Sequence, residues 1–143
     1  MIYVVYWTMS NNTGMMAEAV AEGIKEAGVE SEAVMVSMFD PSLLNDASAF
    51  ALGCPAMGAE TLEEGEMEPF VADLETSVDG KNIALFGSYG WGDGQWMRDW
   101  VDRMEARGAK IVNGEGYIVQ ETPDDAALEG CRNLGKALAE TVK

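Results

Sequence analysis

Apolar residues follow two rhythms along this chain. Short β-branched or apolar runs recur at Ile2–Trp7, Ala33–Val36, Ala49–Cys54, Ile83–Phe86 and Ile111–Val119, with the length and chemistry of strands. Between them the apolar positions repeat at helical spacing. Met16, Val20, Ile24 and Ala27 lie four, four and three residues apart, with Glu18, Glu22, Lys25 and Glu26 on the remaining faces and Gly28 placed to end the helix. Trp96, Trp100 and Met104 make a second stripe that stops at Gly108, and Leu128, Cys131, Gly135, Leu138 and Val142 make a third. A weaker helix is predicted over Glu66–Thr76, where Pro69 suits only the first turn.

Strand and helix in alternation, one βα unit per roughly 29 residues, fit a parallel sheet with right-handed crossovers and helices on both faces. The prediction is a three-layer, doubly wound α/β domain with five parallel strands, a single domain over residues 1–143. Strands one, three and four are apolar on both faces (Tyr3-Val4-Val5-Tyr6, Ala49-Phe50-Ala51-Leu52, Ala84-Leu85-Phe86), as central strands are, whereas strand two opens on Glu32 and reads as an edge. Ligands of open α/β sheets bind beyond the carboxyl ends of the strands, where the strand order reverses. Three loops occupy that position: Thr8–Gly14, Pro55–Glu60 and Gly87–Gly94.

Composition narrows the chemistry. Against 25 Asp and Glu stand only 9 Lys and Arg, a net charge of −16, and there is no histidine. Imidazole-based catalysis and imidazole metal ligation are therefore excluded. So acidic a chain repels nucleic-acid phosphate and anionic lipid, which leaves basic protein surfaces as its natural partners. Hydrophobic residues make up 48% of the chain, enough for a real core. With no apolar run near the roughly 18 residues of a membrane span and no basic, signal-like start, the expectation is a soluble, cytoplasmic protein, by default a monomer. Cys54 and Cys131 form no CxxC pair; two buried free thiols are expected, and no metal site.

Each loop has a distinct character. The first places three hydroxyls (Thr8, Ser10, Thr13) and two amides (Asn11, Asn12) directly before a helix, with no cation. Backbone N–H groups, a helix N-terminus and hydroxyl donors together make an anion site; the plainer alternative is an ordinary N-cap. The third loop has four glycines in eight residues, and glycines flank Trp91 on both sides. Trp91 reads as a stacking platform for a planar ring, or else as an indole folded back onto the core. Trp96 and Trp100 belong to the core of the following helix. The second loop adds Met57, a flexible apolar contact, and Glu60, a carboxylate able to accept a ring N–H.

A phosphate cradle at one end and an apolar-aromatic clamp with a carboxylate at the other suit a flavin mononucleotide. The motifs Tyr6-Trp7-Thr8-x-Ser10-x-Asn12-Thr13, Gly53-Cys54-Pro55-Ala56-Met57-Gly58-x-Glu60 and Leu85-Phe86-Gly87-Ser88-Tyr89-Gly90-Trp91-Gly92-Asp93-Gly94-x-Trp96-Met97-Arg98 resemble the short-chain flavodoxins, especially those of anaerobic bacteria. Flavodoxins themselves illustrate the rule that places ligands at the switch point, so that location is no independent prediction. The resemblance implies strand order 2-1-3-4-5, one non-covalent FMN, no catalytic residues, and low-potential one-electron transfer between redox partner proteins through the neutral semiquinone/hydroquinone couple. It assigns Thr8, Met9, Ser10, Asn11, Asn12 and Thr13 to the phosphate loop, Met57 and Trp91 to the two ring faces, and Glu60 to the ring N3–H. Pro55, Ala56, Ser88, Tyr89, Gly90, Gly92 and Asp93 fall among the remaining cofactor contacts, and Gly58-Ala59 is the peptide that turns to meet the flavin N5–H.

Met9 and Asn11 stand where the family usually has glycines. Asn tolerates left-handed backbone geometry, so Asn11 can keep the glycine conformation; a need for positive φ at Met9 would reshape the cradle. In the turn Met57-Gly58-Ala59-Glu60, a positive φ at Gly58 and a negative one at Ala59 are expected, the type II′ arrangement. A two-component receiver domain has the same size and fold class but needs acidic residues after strand one and an Asp ending strand three, where this chain has Tyr6-Trp7-Thr8 and Gly53-Cys54-Pro55. A flavin-dependent reductase needs extra loops for a substrate pocket, and 143 residues leave few.

Overall fold

Successive side chains along the strands point alternately to the two faces of one parallel sheet, and both faces of its central strands are buried. The computed structural model describes residues 1–143. Its elements are β1 (Ile2–Tyr6), α1 (Asn12–Glu26), β2 (Ser31–Met35), β3 (Ala49–Gly53), α2 (Met67–Leu74), β4 (Asn82–Tyr89), α3 (Gln95–Glu105), β5 (Lys110–Ile111), β6 (Tyr117–Gln120) and α4 (Asp125–Glu140). The strands run in the order β2-β1-β3-β4-β5, all parallel, with β6 also paired to β4. This is the predicted doubly wound architecture, with β2 on the edge.

Val5, Phe50, Leu52, Ile83 and Leu85 pack with α2 and α3, in a core that includes Trp96, Trp100, Met67 and Phe70. The opposite face is lined by Ile2, Val4, Ala49, Ala51, Ala84 and Phe86 and is covered by α1 and α4 through Met16, Val20, Ile24, Leu134 and Leu138. Those two helices pack backbone to backbone at Gly23 and Gly135: a Cβ at Gly23 would overlap the Arg132 carbonyl, and one at Gly135 the Val20 carbonyl. Trp96 and Trp100 are core residues, and Cys54 and Cys131 are buried free thiols.

Several boundaries differ from expectation. Strand two starts and ends earlier, because Val36 opens a 3-10 turn. α2 ends at Leu74 and tightens into a 3-10 turn over Glu75–Ser77. β4 extends through Gly87, Ser88 and Tyr89, which the sequence had placed in a loop; flanking strands on both sides supply ladder partners that glycine and serine do not signal on their own. The predicted fifth strand is two strands. β5 pairs Lys110 with Asn82, whereas β6 pairs Tyr117 with Phe86, so the offset grows from 28 to 31 and three residues loop out. Left-handed Asn113 (φ 64°) and Gly114 (φ 74°) make the turn, a conformation that Asn-Gly adopts at little cost.

Candidate functional site

At the carboxyl edge, β1 runs through Thr8–Asn11 into α1. Asn11 is the left-handed residue (φ 70°, ψ 6°) that caps the helix, as expected for a glycine surrogate. Its carbonyl accepts the Met15 N–H at 2.9 Å, and the Thr8 hydroxyl accepts the Gly14 N–H at 3.2 Å. Met9 needs no positive φ; its side chain points to solvent, 72% exposed. The backbone N–H groups of Ser10, Asn11, Asn12 and Thr13 have no acceptor within the protein. They are the unsatisfied first-turn donors that favour an anion at a helix N-terminus.

Beside them lies an open cleft of about 260 Å³, lined by Thr8, Met9, Ser10, Asn12 and Thr13 from the first loop, Pro55, Ala56 and Met57 from the second, and Ser88, Tyr89, Gly90 and Glu121. Four segments far apart in sequence thus meet, and none of the lining residues is a Lys or Arg. Thr13 differs from the expected free donor, and the Ser88 backbone N–H from an open contact. The Thr13 and Ser88 hydroxyls bond each other at 3.0 Å, and the Ser88 N–H donates to the Thr13 hydroxyl at 3.3 Å, tying the first loop to β4. One of the two hydroxyl protons is used in that bond, so the pair retains one for the cleft.

A second cluster forms around Glu60. Gly58 has φ 47° while Ala59 does not adopt positive φ, in keeping with the expected turn. Closure differs: Met57 and Thr61 exchange both N–H···O bonds at 2.9 Å, and Glu60 is itself left-handed at φ 56°. Its carboxylate accepts the Asp93 N–H at 3.1 Å, packed so closely on Gly92 (φ 88°) that a Cβ there would overlap it. Trp91 is 65% exposed rather than folded onto the core. Asn11, Gly58, Ala59, Glu60, Trp91, Gly92 and Asp93 therefore lie outside the lining of the cleft itself.

Glu121 was missed by the sequence. Left-handed at φ 61°, it donates its N–H to the Tyr89 carbonyl at 2.7 Å, while Gln120 Nε2 donates to the Gly90 carbonyl at 3.3 Å. The available signal was positional: the residue after the fifth strand must sit beside the loop after strand four. Behind the cleft, Tyr89 packs against Trp96 at 5.6 Å and Trp96 Nε1 donates to the Cys54 carbonyl at 3.1 Å. Burial pushes the Cys54 thiol up to about 12, so it stays protonated at neutral pH and is no nucleophile. No group of three or more His, Cys, Asp or Glu side chains could hold a metal ion, and no helix is long and apolar enough to cross a membrane. A larger groove of about 580 Å³ runs between α3 and the strand-five turn, but the unpaired N–H groups of the first loop lie elsewhere.

The family model for flavodoxin matches residues 4–135. The chain belongs to the flavodoxin family. It is 46% identical over 136 residues to a flavodoxin of Clostridium beijerinckii, covering 95% of this chain and 97% of that one. The solution structure of two-electron reduced Megasphaera elsdenii flavodoxin superposes with a TM-score of 0.88 at 41% identity, covering 98% of this chain and 99% of that one. A flavodoxin from the domain Archaea superposes with a TM-score of 0.89 at 30% identity, covering 99% and 97%. Flavodoxins are FMN-binding electron-transfer proteins that act with redox partner proteins and are not enzymes. The donor set fits the cofactor: the α1 N-terminus offers a phosphate neutral donors without an acceptor in the protein, and the glycines and exposed tryptophan of the 90–94 loop suit a planar ring.

Proposed function

We propose that residues 1–143 form one FMN-binding unit that carries single electrons at low potential between partner proteins. The observation that carries this is the row of four backbone N–H groups, Ser10 to Thr13, with no acceptor in the protein, at the head of a cleft without a cation. When bound, FMN supplies a centre that takes up and releases electrons one at a time. Those N–H groups and the Thr8 and Ser10 hydroxyls hold the phosphate. Pro55, Ala56, Ser88, Tyr89 and Gly90 contact the chain and the pyrimidine, Met57 and Trp91 are the ring contacts, and the Glu60 oxygen not used by Asp93 accepts the ring N3–H. The Gly58–Ala59 peptide would present its carbonyl toward the flavin N5, an orientation that the positive φ of Gly58 leaves open.

Low potential follows from what surrounds the ring. A negative charge gained beside the Glu60 carboxylate would be disfavoured, and Arg98, the cation nearby, is already paired with Asp93. The acidic exterior fits partners with basic docking surfaces, and we infer a cytoplasmic, monomeric carrier. Titration of the apoprotein with FMN and with riboflavin tests the phosphate site: FMN binds more tightly, and equal affinities would overturn it. Anaerobic photoreduction tests the electron chemistry. The one-electron state accumulates in a carrier, whereas steady NAD(P)H oxidation by the protein alone would make it a reductase.

A further inference from the structure

The loop Gly90–Gly94 that presents Trp91 has little of its own to hold it. Gly90, Trp91, Gly92 and Asp93 are all exposed, and Gly92 and Gly94 are both left-handed at φ 88° and 92°, so the segment is short of side-chain packing and rich in conformational freedom. Its anchors are polar: Gln120 Nε2 holds the Gly90 carbonyl at the start of the loop, and the others converge on Asp93. The Asp93 N–H donates to Glu60, which ties the loop to the 58–60 turn. From the other side Arg98, on the first turn of α3, grips the same residue twice: Nη1 donates to the Asp93 carbonyl at 3.0 Å and Nη2 to its carboxylate at 2.9 Å. Nη2 also donates to Gln95 Oε1 at 2.9 Å. The helix that carries Arg98 is immobilised by Trp96, Met97, Trp100 and Met104 in the core.

We propose that Arg98 is a positioning residue for flavin binding: by clamping Asp93 to α3 it sets where Trp91 stands over the ring, without touching the flavin. This rests on the FMN reading above. The chain's other eight cations are elsewhere: Arg103 pairs with Glu68 and Glu75, Arg107 with Glu75, Arg132 with Glu129, Lys136 with Glu26 and Lys143 with Glu140, Lys81 donates to the carbonyls of Leu44 and Asn45, and Lys25 and Lys110 make no ion pair. What matters is the planar fork. A guanidinium serves the carbonyl, the carboxylate and Gln95 in one plane, whereas a lysine ammonium is a single point that cannot hold all three.

The test compares wild type with Arg98→Gln and Arg98→Lys. Amide hydrogen exchange on the apoproteins reads the loop directly, and titration with FMN and with riboflavin reads the ring site. Both variants exchange the 90–94 segment faster while leaving 2–6 and 49–53 unchanged, and both weaken FMN and riboflavin by the same factor, roughly two- to fivefold, as expected for exposed charge-assisted contacts. Full rescue by Arg98→Lys would overturn the clamp in favour of plain charge. Unchanged exchange and affinity in Arg98→Gln would overturn it outright, and weakening of FMN alone would move Arg98's influence to the phosphate end. Failure of the wild-type protein to bind either flavin sinks the FMN reading instead, and the apoprotein exchange still decides whether Arg98 holds the loop.

Discussion

At residue 59 one side chain is expected to set a redox property. Ala59 lacks the freedom to take positive φ, so Gly58 alone is left-handed in the turn and the Gly58–Ala59 peptide has a preferred orientation. Ala59→Gly removes that bias. One hydrogen bond to the flavin N5–H is worth about 0.5–1.5 kcal/mol, or about 20–65 mV in a one-electron couple. The separation of the two reduction potentials should shift by that order in the variant, measured by anaerobic titration; an unchanged separation would refute the role. Two tryptophans on α3 make a second contrast. Trp96 Nε1 donates to the Cys54 carbonyl, while Trp100 Nε1 is buried without a partner. Trp96→Phe strands a buried acceptor, whereas Trp100→Phe removes an unpaired donor, so the first should destabilise by about 1–3 kcal/mol more than the second in urea unfolding. Equal losses would show that packing volume alone governs both sites.

Among the elements, α2 owes its start to one carboxylate. Glu63 accepts N–H groups from Gly65, Glu66 and Met67 at 2.6, 2.7 and 3.0 Å. Burial pushes its carboxyl up, but those three bonds outweigh burial and hold it below the ordinary glutamate value of 4.5. A group whose folded value is depressed contributes stability above its unfolded value and loses it as pH falls through the folded one. Glu63→Gln should therefore lower the melting temperature at pH 7, with a cost of about 1 kcal/mol as for a lost cap, and the gap to wild type should close below pH 4.5. A gap that persists in acid would show that charge is irrelevant to the cap. The elements also show what was legible. Apolar stripes at Met16–Ala27 and Trp96–Met104 announced their helices because the signal is local. The fifth strand was read as continuous because its apolar ends, Ile111 and Tyr117–Val119, match strand chemistry, although Asn113-Gly114 carried a turn signal between them.

For the whole molecule, the excess of acidic residues acts at long range. A net charge of −16 accelerates encounter with a cationic partner and is screened over about 8–10 Å at physiological salt. The rate of electron transfer to a positively charged haem protein should fall steeply as ionic strength rises, measured by stopped flow; a salt-independent rate would refute electrostatic docking. Its direct effect on the flavin is smaller, since one surface charge at about 15 Å in water contributes only about 0.3 kcal/mol. The alternation of strands and helices, the cation-free first loop and the left-handed Asn11 were legible in the sequence alone, because each depends on neighbours along the chain; the strand order came from the resemblance to flavodoxins. Only the tertiary structure decided that Thr13 bonds Ser88 across 75 residues, that Glu60 holds Asp93 across 33, and that Glu121 joins the cleft. Those partners meet through parallel strand register and a three-residue shift in strand five, and no local pattern encodes a contact between side chains that only a folded sheet brings within reach.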